Sequence, residues 1–126
     1  MSMKQSIDWD NLGFNAHETK SMYIAKFDSN GNFLDNGLVP YGDIKLSPAA
    51  TVLNYGQGAF EGTKAYETSK NQVVFFRLED NAKRFNNSCL RLCMPEIPNE
   101  MFVNAVKETV LDNLEYMPKK EQGSLY

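Results

Sequence analysis

Glycine and aromatic residues are concentrated in Leu53–Tyr66, which has the sequence LNYGQGAFEGTKAY. Its three glycines follow the pattern G-x-G-x-x-x-G, which is one residue longer than the dinucleotide-binding fingerprint. A helix is predicted before them and a strand after them, the reverse of the order that the fingerprint needs. Dinucleotide binding is therefore rejected. Two interpretations remain: a turn in which glycine supplies positive φ, or a backbone that approaches a ligand while Tyr55 and Phe60 form a pocket wall.

Arg77 is the second residue that could bind a ligand. It follows Val73–Phe76, an apolar run that predicts a buried strand, and it precedes a predicted helix. An arginine at the end of a strand can bind a phosphate through two hydrogen bonds. The other interpretation, a surface ion pair with Glu79 or Asp80, remains open at this point.

The other residues capable of chemistry give weaker signals. No two acids have a spacing that demands acid–base catalysis, and no serine lies in a G-x-S-x-G motif. Cys89 and Cys93 are predicted to be buried, unreactive thiols on or beside the apolar face of a helix. With His17 as the one histidine, they cannot supply four zinc ligands, so no metal site is expected. Arg84 and Arg91 are seven residues apart, which predicts one solvated helix face.

The first half of the chain predicts strands. Met22–Phe27 contains β-forming residues, and the Asn-Gly pair within Asp28–Asn32 favours positive φ, so a hairpin is expected there. Ala59–Tyr66 and Val73–Phe76 predict two more strands joined by a polar turn. A short helix is expected to begin at Ser47, which precedes a proline.

The second half predicts two helices. The first begins at Leu78 and is stopped by Pro95; the second begins near Asn99 and ends at Pro118. The apolar residues predicted to be buried are Leu78, Ala82, Phe85, Cys89 and Leu92 in the first helix, and Val103, Val106, Val110, Leu114 and Met117 in the second.

Strands followed by helices predict an α+β two-layer sandwich, with two main helices on one face of a mostly antiparallel sheet. The 126 residues are predicted to form a single domain. Gly123–Tyr126 has the composition of a strand rather than a charged tail, so we expect the chain to be a piece of a longer protein.

Composition and charge exclude several classes of function. The chain has 13 Lys plus Arg against 16 Asp plus Glu and no basic stripe, so no nucleic-acid partner is expected. No apolar run approaches the ~20 residues of a membrane span, so no membrane partner is expected. The N-terminus lacks the apolar stretch of a signal peptide, and the cysteines do not imply an oxidising compartment; a cytoplasmic location is therefore expected.

Three segments together resemble the branched-chain amino-acid aminotransferases, which are pyridoxal-phosphate-dependent enzymes of fold-type IV. They are the Tyr-Gly-Gln-x-x-Phe-Glu-Gly-x-Lys-Ala-Tyr run within Leu53–Tyr66, the Phe-Arg-x-x-x-Asn-x-x-Arg-Phe run that begins at Phe76, and the Arg-Leu-Cys of Ser88–Pro95. The order of elements agrees from about Leu12 to Tyr126. The resemblance implies the small N-terminal domain of such an enzyme, with the catalytic C-terminal domain absent from this chain.

The resemblance implies roles for five residues. Arg77 matches the arginine that holds the cofactor phosphate. Tyr55 and Phe60 match aromatic residues that line the pocket for an aliphatic substrate side chain. Tyr126 matches the tyrosine of the Ser-Leu-Tyr-x-Arg-Pro strand that borders the substrate. Phe14 matches another pocket aromatic, although the residues after it depart from the usual Phe-Thr-Asp-His-Met pattern.

The implied enzyme transfers the amino group of leucine, isoleucine or valine to 2-oxoglutarate, and it is a homodimer. Its Schiff-base lysine lies in the C-terminal domain, and Lys64 is not that lysine. We therefore expect no catalytic residue in this chain and no activity from it alone. Two alternatives stay open: a D-amino-acid aminotransferase or aminodeoxychorismate lyase of the same class, or a non-catalytic binding or oligomerisation module.

Overall fold

The structure, a computed structural model, describes residues 7–13 and 16–126. In chain order its elements are β1 (Ser21–Phe27), β2 (Phe33–Pro40), α1 (Thr51–Tyr55), β3 (Ala65–Glu67), β4 (Val73–Phe75), α2 (Leu78–Arg91), α3 (Asn99–Asp112) and a short 3-10 helix (Leu114–Tyr116). Phe14, one of the predicted pocket residues, lies outside the described residues.

The predicted first hairpin is confirmed. Strands β1 and β2 are antiparallel, with Phe27 opposite Phe33 at the turn. Asp28 closes the turn because its carboxylate accepts the N–H groups of Asn30 and Asn32, each at 2.9 Å. Gly31 has φ 87°, a conformation that glycine adopts without strain.

The second hairpin is shorter than predicted. Strands β3 and β4 have three residues each, and Thr68 closes their turn by accepting the N–H groups of Lys70 and Gln72 with its hydroxyl. The strand expected over Ala59–Tyr66 begins only at Ala65. The physical reason is that the hydrogen bonds of Gly62, within this stretch, go to side chains instead of to a neighbouring strand.

Both main helices form, with shifted ends. Helix α2 begins at Leu78 as predicted, but Leu92 lies beyond its last residue and is exposed. Helix α3 begins at the predicted Asn99 but ends at Asp112, and Leu114, expected in its buried face, is exposed on the 3-10 helix. The apolar core where the two helices pack consists of Leu78, Ala82 and Val103, with Phe75, Phe102 and Val106 against it.

The short helix α1 begins at Thr51 rather than at Ser47. Ser47 makes a local turn, in which its hydroxyl accepts the N–H of Ala49 at 3.2 Å. The next residue, Ala50, is extended with ψ 126°, so the helix can begin only after it. Gly56 then ends the helix in the left-handed conformation, with φ 63°.

The described residues form a small α+β domain with two separate two-stranded antiparallel sheets and two main helices. The first hairpin contacts α3, which in turn packs on α2. One antiparallel bridge joins Ala65 to Leu125, so the last residues of the chain lie beside β3. The predicted α+β class is confirmed, and the two-layer sandwich stays a prediction.

Candidate functional site

A cleft of about 490 Å³ lies between the segment before β3, the first half of α2 and Tyr126. Its lining contains three cationic side chains, Lys64, Arg77 and Arg84, and one acidic side chain, Asp80. We call it the basic cleft. This excess of positive charge favours a bound anion, because a concave surface concentrates the field of its charges.

The period of helix α2 brings most of these groups together. Arg77 is the residue just before the helix, and Asn81 and Arg84 follow it by four and seven residues. Residues with this spacing share one face of an α-helix. The same face therefore carries Arg77 at the helix end and Arg84 two turns further along the cleft.

Arg77 occupies an unusual backbone position. Its φ is 53°, in the left-handed region that residues other than glycine, asparagine and aspartate rarely adopt. Its exposed guanidinium donates from Nε to Asp80 at 2.6 Å, and Nη2 lies 2.5 Å from the same carboxylate oxygen. The predicted surface pair with Asp80 is thus present. A guanidinium has five N–H groups, so this pair leaves it capacity for a second acceptor.

Glu61 forms the strongest polar cluster of the site, which sequence reasoning missed. Its side chain is only 4% exposed. Arg84 donates to both carboxylate oxygens, with an Nε–Oε2 distance of 2.8 Å. The backbone N–H of Gly62 and the amide of Asn81 also donate to Oε1, each at 3.0 Å. Glu61 therefore carries its charge inside the domain with four hydrogen bonds to it.

These contacts set the electrostatics of the cluster. The hydrogen bond from Arg84, aided by Asn81 and Gly62, lowers the pKa of Glu61 to about 2, although burial opposes the shift. The same contact raises the pKa of Arg84. Arg84 was expected on a solvated helix face with Arg91. That expectation is confirmed, because both arginines are exposed and 69% of the Arg84 side chain is accessible. The pairing of Arg84 with Glu61 was not predicted, because the two residues are 23 positions apart in sequence, beyond the reach of any helical spacing rule.

Tyr126 lies against the backbone of Gly62. A Cβ built on Gly62 would be 3.1 Å from two ring carbons of Tyr126, and closer still to its hydroxyl. The bridge between Ala65 and Leu125, with N–O distances of 2.8 and 3.0 Å, holds this end of the chain in place. Gly62 is therefore a position where the absence of a side chain lets the tyrosine ring approach.

A second cavity of about 540 Å³ shares Gly62, Thr63 and Tyr126 with the basic cleft. We call it the apolar groove, because side chains such as Phe75 and Phe102 dominate its lining. Tyr126 thus separates a cationic cavity from an apolar one. This is the combination that an anionic ligand with an aliphatic part would need.

Of the four predicted site residues within the described part of the chain, two lie together: Arg77 and Tyr126 both line the basic cleft. Tyr55 is 85% exposed at the end of α1, and Phe60 is 80% exposed in the segment that leads to Glu61. Neither aromatic ring lines the basic cleft or the apolar groove. Their assigned pocket role stays a prediction.

The two cysteines differ. Cys89 is buried, and burial raises the pKa of its thiol, as expected for an unreactive side chain. Cys93 is exposed just after α2, so the prediction that both thiols are buried is wrong for Cys93.

Within residues 7–13 and 16–126, no three His, Cys, Asp or Glu side chains are grouped to hold a metal ion, and no helix is long and apolar enough to cross a membrane.

Comparison with known proteins gives close relatives, although no family model matches the chain. It is 48% identical over 120 residues to the chloroplastic branched-chain-amino-acid aminotransferase 5 of Arabidopsis thaliana and 48% identical over 121 residues to the chloroplastic aminotransferase 3 of that plant. It is 45% identical over 121 residues to the mitochondrial branched-chain amino acid aminotransferase 1 of Humulus lupulus. These matches cover 95% to 96% of this chain but only 29% to 31% of each relative.

The chain therefore spans about a third of the length of the curated relatives it matches. These sequence matches show that the chain is homologous to part of an aminotransferase. More particularly, it is a homologue of the branched-chain amino acid aminotransferases, which confirms the resemblance in its sequence motifs.

The expected cytoplasmic location is contradicted by the same relatives, which are named as chloroplastic or mitochondrial proteins. The error has a physical reason. Lack of an apolar N-terminal stretch argues only against secretion, because leaders for these organelles are amphipathic and rich in Arg and Ser. Unpaired cysteines likewise do not distinguish the cytoplasm from an organelle interior.

Proposed function

We propose that this chain is the N-terminal part of a pyridoxal-phosphate-dependent transaminase that moves the amino group of leucine, isoleucine or valine to 2-oxoglutarate. The observation that carries the proposal is the 48% identity over 95% of the chain to a branched-chain-amino-acid aminotransferase. The full-length protein is proposed to be a homodimer in a chloroplast or mitochondrion, as the names of its relatives suggest for the location.

The basic cleft supports a phosphate-binding role for this domain. Two of its three cations pair with acids, Arg77 with Asp80 and Arg84 with Glu61, which leaves a net positive charge. The planar guanidinium of Arg77 suits two phosphate oxygens. The donor set of the cleft therefore fits the phosphate of pyridoxal 5'-phosphate. When bound, this cofactor supplies an electron sink for the substrate carbon. The role of this chain is to hold the phosphate through Arg77.

The exposed aromatic rings support a substrate role. Tyr55, Phe60 and Tyr126 present large apolar surfaces to solvent, which an aliphatic side chain would help to cover. We propose that these rings, with Phe14, form one wall of the substrate pocket. The rest of the full-length protein supplies the opposite wall and the lysine that the family joins to the cofactor. In that protein the hairpins and helices form one single small domain, the two-layer sandwich.

The experiment is a comparison of Arg77→Ala with Arg91→Ala in the full-length protein. Arg91 is an exposed arginine in the last turn of the same helix and lines neither cavity, so it is a matched control. A charge-assisted hydrogen bond contributes about 1.5–3 kcal/mol, so Arg77→Ala should weaken binding of pyridoxal phosphate about ten- to a hundredfold, measured by dialysis and absorbance. Equal affinities for both variants would reduce Arg77 to a surface residue that pairs with Asp80.

Substrate profiling of the same protein tests the reaction. We expect turnover of leucine with 2-oxoglutarate, and no turnover by residues 1–126 alone. Activity on D-alanine with none on leucine would replace the proposal with the D-amino-acid alternative of the same class.

A further inference from the structure

We propose that Glu61 is a positioning residue for the basic cleft: it fixes the Gly62 peptide, and thereby the place of Tyr126, relative to the helix that carries Arg77. The inference rests on the proposed function, since it concerns the same site. It assigns a role to an acid whose hydrogen bonds go to Gly62, Asn81 and Arg84 rather than to Arg77.

Glu61 anchors an irregular segment of the chain by hydrogen bonds. Residues 59–64 form no strand or helix. Their hydrogen bonds with the described part of the chain all involve Glu61 or Gly62. The Glu61 carboxylate is therefore the main polar anchor of the segment that leads from the proposed pocket wall at Phe60 to strand β3.

Hydrogen bonds fix the backbone of Gly62 at both its N–H and its carbonyl. Its N–H donates to Glu61 Oε1 at 3.0 Å, and its carbonyl accepts from Asn81 at 3.0 Å. The same Asn81 amide donates to Glu61 at 3.0 Å. Glu61 and Asn81 thus define the orientation of the peptide on which the Tyr126 ring rests.

Helix α2 connects Glu61 to Arg77. Asn81 and Arg84, which hold Glu61, lie on the α2 face that begins at Arg77. A rigid helix carries both ends of this arrangement, so the carboxylate sets the separation between the phosphate-binding end and the tyrosine. A displacement of about 1 Å in such a site is enough to impair catalysis, because reacting groups must be held in a near-attack geometry.

The test uses the full-length protein with Glu61→Gln. Glutamine has nearly the same shape, but its amide nitrogen presents N–H groups where one carboxylate oxygen accepts from Arg84, so the two-point contact is lost. We expect the KM for leucine to rise about tenfold with a smaller change in kcat. Hydrogen exchange of the Gly62 amide should accelerate whether or not leucine is a substrate.

Asn86→Ala is the matched control. Asn86 is a buried amide on the same helix, where it bonds the backbone of Ile97 through both side-chain atoms, and it lines neither cavity. We expect it to lower Tm without changing the KM for leucine or exchange at Gly62. A Glu61→Gln variant that lowers Tm in the same way, with KM and Gly62 exchange unchanged, would overturn the positioning role.

Gly62→Ala keeps the inference testable if Glu61→Gln does not fold. The added Cβ would displace the Tyr126 ring, since its three nearest atoms all belong to Tyr126 and none to Glu61 or Arg84. A raised KM for leucine with unchanged cofactor affinity supports the inference, and an unchanged KM contradicts it. A wild-type protein that does not transaminate leucine refutes the proposed function, whereas the exchange measurement still decides the role of Glu61.

Discussion

Two buried polar residues, Glu61 and Asn113, hold this domain together in different ways. Asn113 is 2% exposed and joins α3 to the start of β1. Its Oδ1 accepts the N–H groups of Lys20 at 2.9 Å and Ser21 at 3.1 Å, and its amide donates to the carbonyls of Ser21 and Thr109. Backbone groups thus provide most of its partners, and Asn113 carries no charge.

Glu61 is charged, and most of its hydrogen bonds come from the side chains of α2. Both residues line the apolar groove, but two partners of Glu61, Asn81 and Arg84, also line the basic cleft. An amide satisfied by backbone serves the fold at little electrostatic cost, while a buried carboxylate must be matched by a cation. In this domain the neutral Asn113 joins α3 to the start of β1, whereas the charged Glu61 fixes the segment before β3 to helix α2, which lines the basic cleft.

Loss of the Asn113 contacts should lower stability more than loss of the Glu61 contacts. Asn113→Ala leaves the N–H groups of Lys20 and Ser21 without their acceptor at a buried position, which costs roughly 1–3 kcal/mol for each such group. We expect the free energy of unfolding to fall by about 3 kcal/mol, measured by urea denaturation. Asn104→Ala, at an exposed position of α3, is the control and should change little.

The pH dependence of stability should distinguish the charged Glu61 from the neutral Asn113. The pKa of Glu61 is about 2 in the folded protein against an ordinary value of 4.5, so its ionised form favours folding. This stabilisation is fully present above pH 4.5 and is lost as pH falls towards 2. The stability difference between wild type and Glu61→Gln should therefore shrink over that range. The difference for Asn113→Ala should stay level, and a level curve for Glu61→Gln would contradict the role of its charge.

The smallest effect is expected next to Asn113. Asp112 pairs with Lys20 at 2.5 Å, and this contact lowers the pKa of Asp112, yet both side chains are accessible to water. Exposed pairs contribute little because water and salt screen them. Asp112→Asn should thus lower Tm only slightly, and less at high salt. A loss as large as that of Asn113→Ala would show that charge, and not burial, governs this junction.

Local patterns accounted for the elements whose cause is local. The Asn-Gly pair placed the first hairpin, and the 4,3,4,3 spacing from Leu78 placed the first turns of α2. The ends were less accurate, because Leu92 and Leu114 continue the apolar period after the helices have ended. Periodicity measures which face a residue would occupy in a helix, whereas the end depends on where the backbone finds other partners.

Motifs and helical periodicity were enough to predict the family, the α+β class and the start of α2 directly after Arg77, because they are properties of neighbouring residues. The pairing of Arg84 with Glu61 and the packing of Tyr126 on Gly62 could be seen only in the folded domain. The residues of each pair are 23 and 64 positions apart. Such contacts depend on how the chain folds back on itself, and no local spacing encodes that distance.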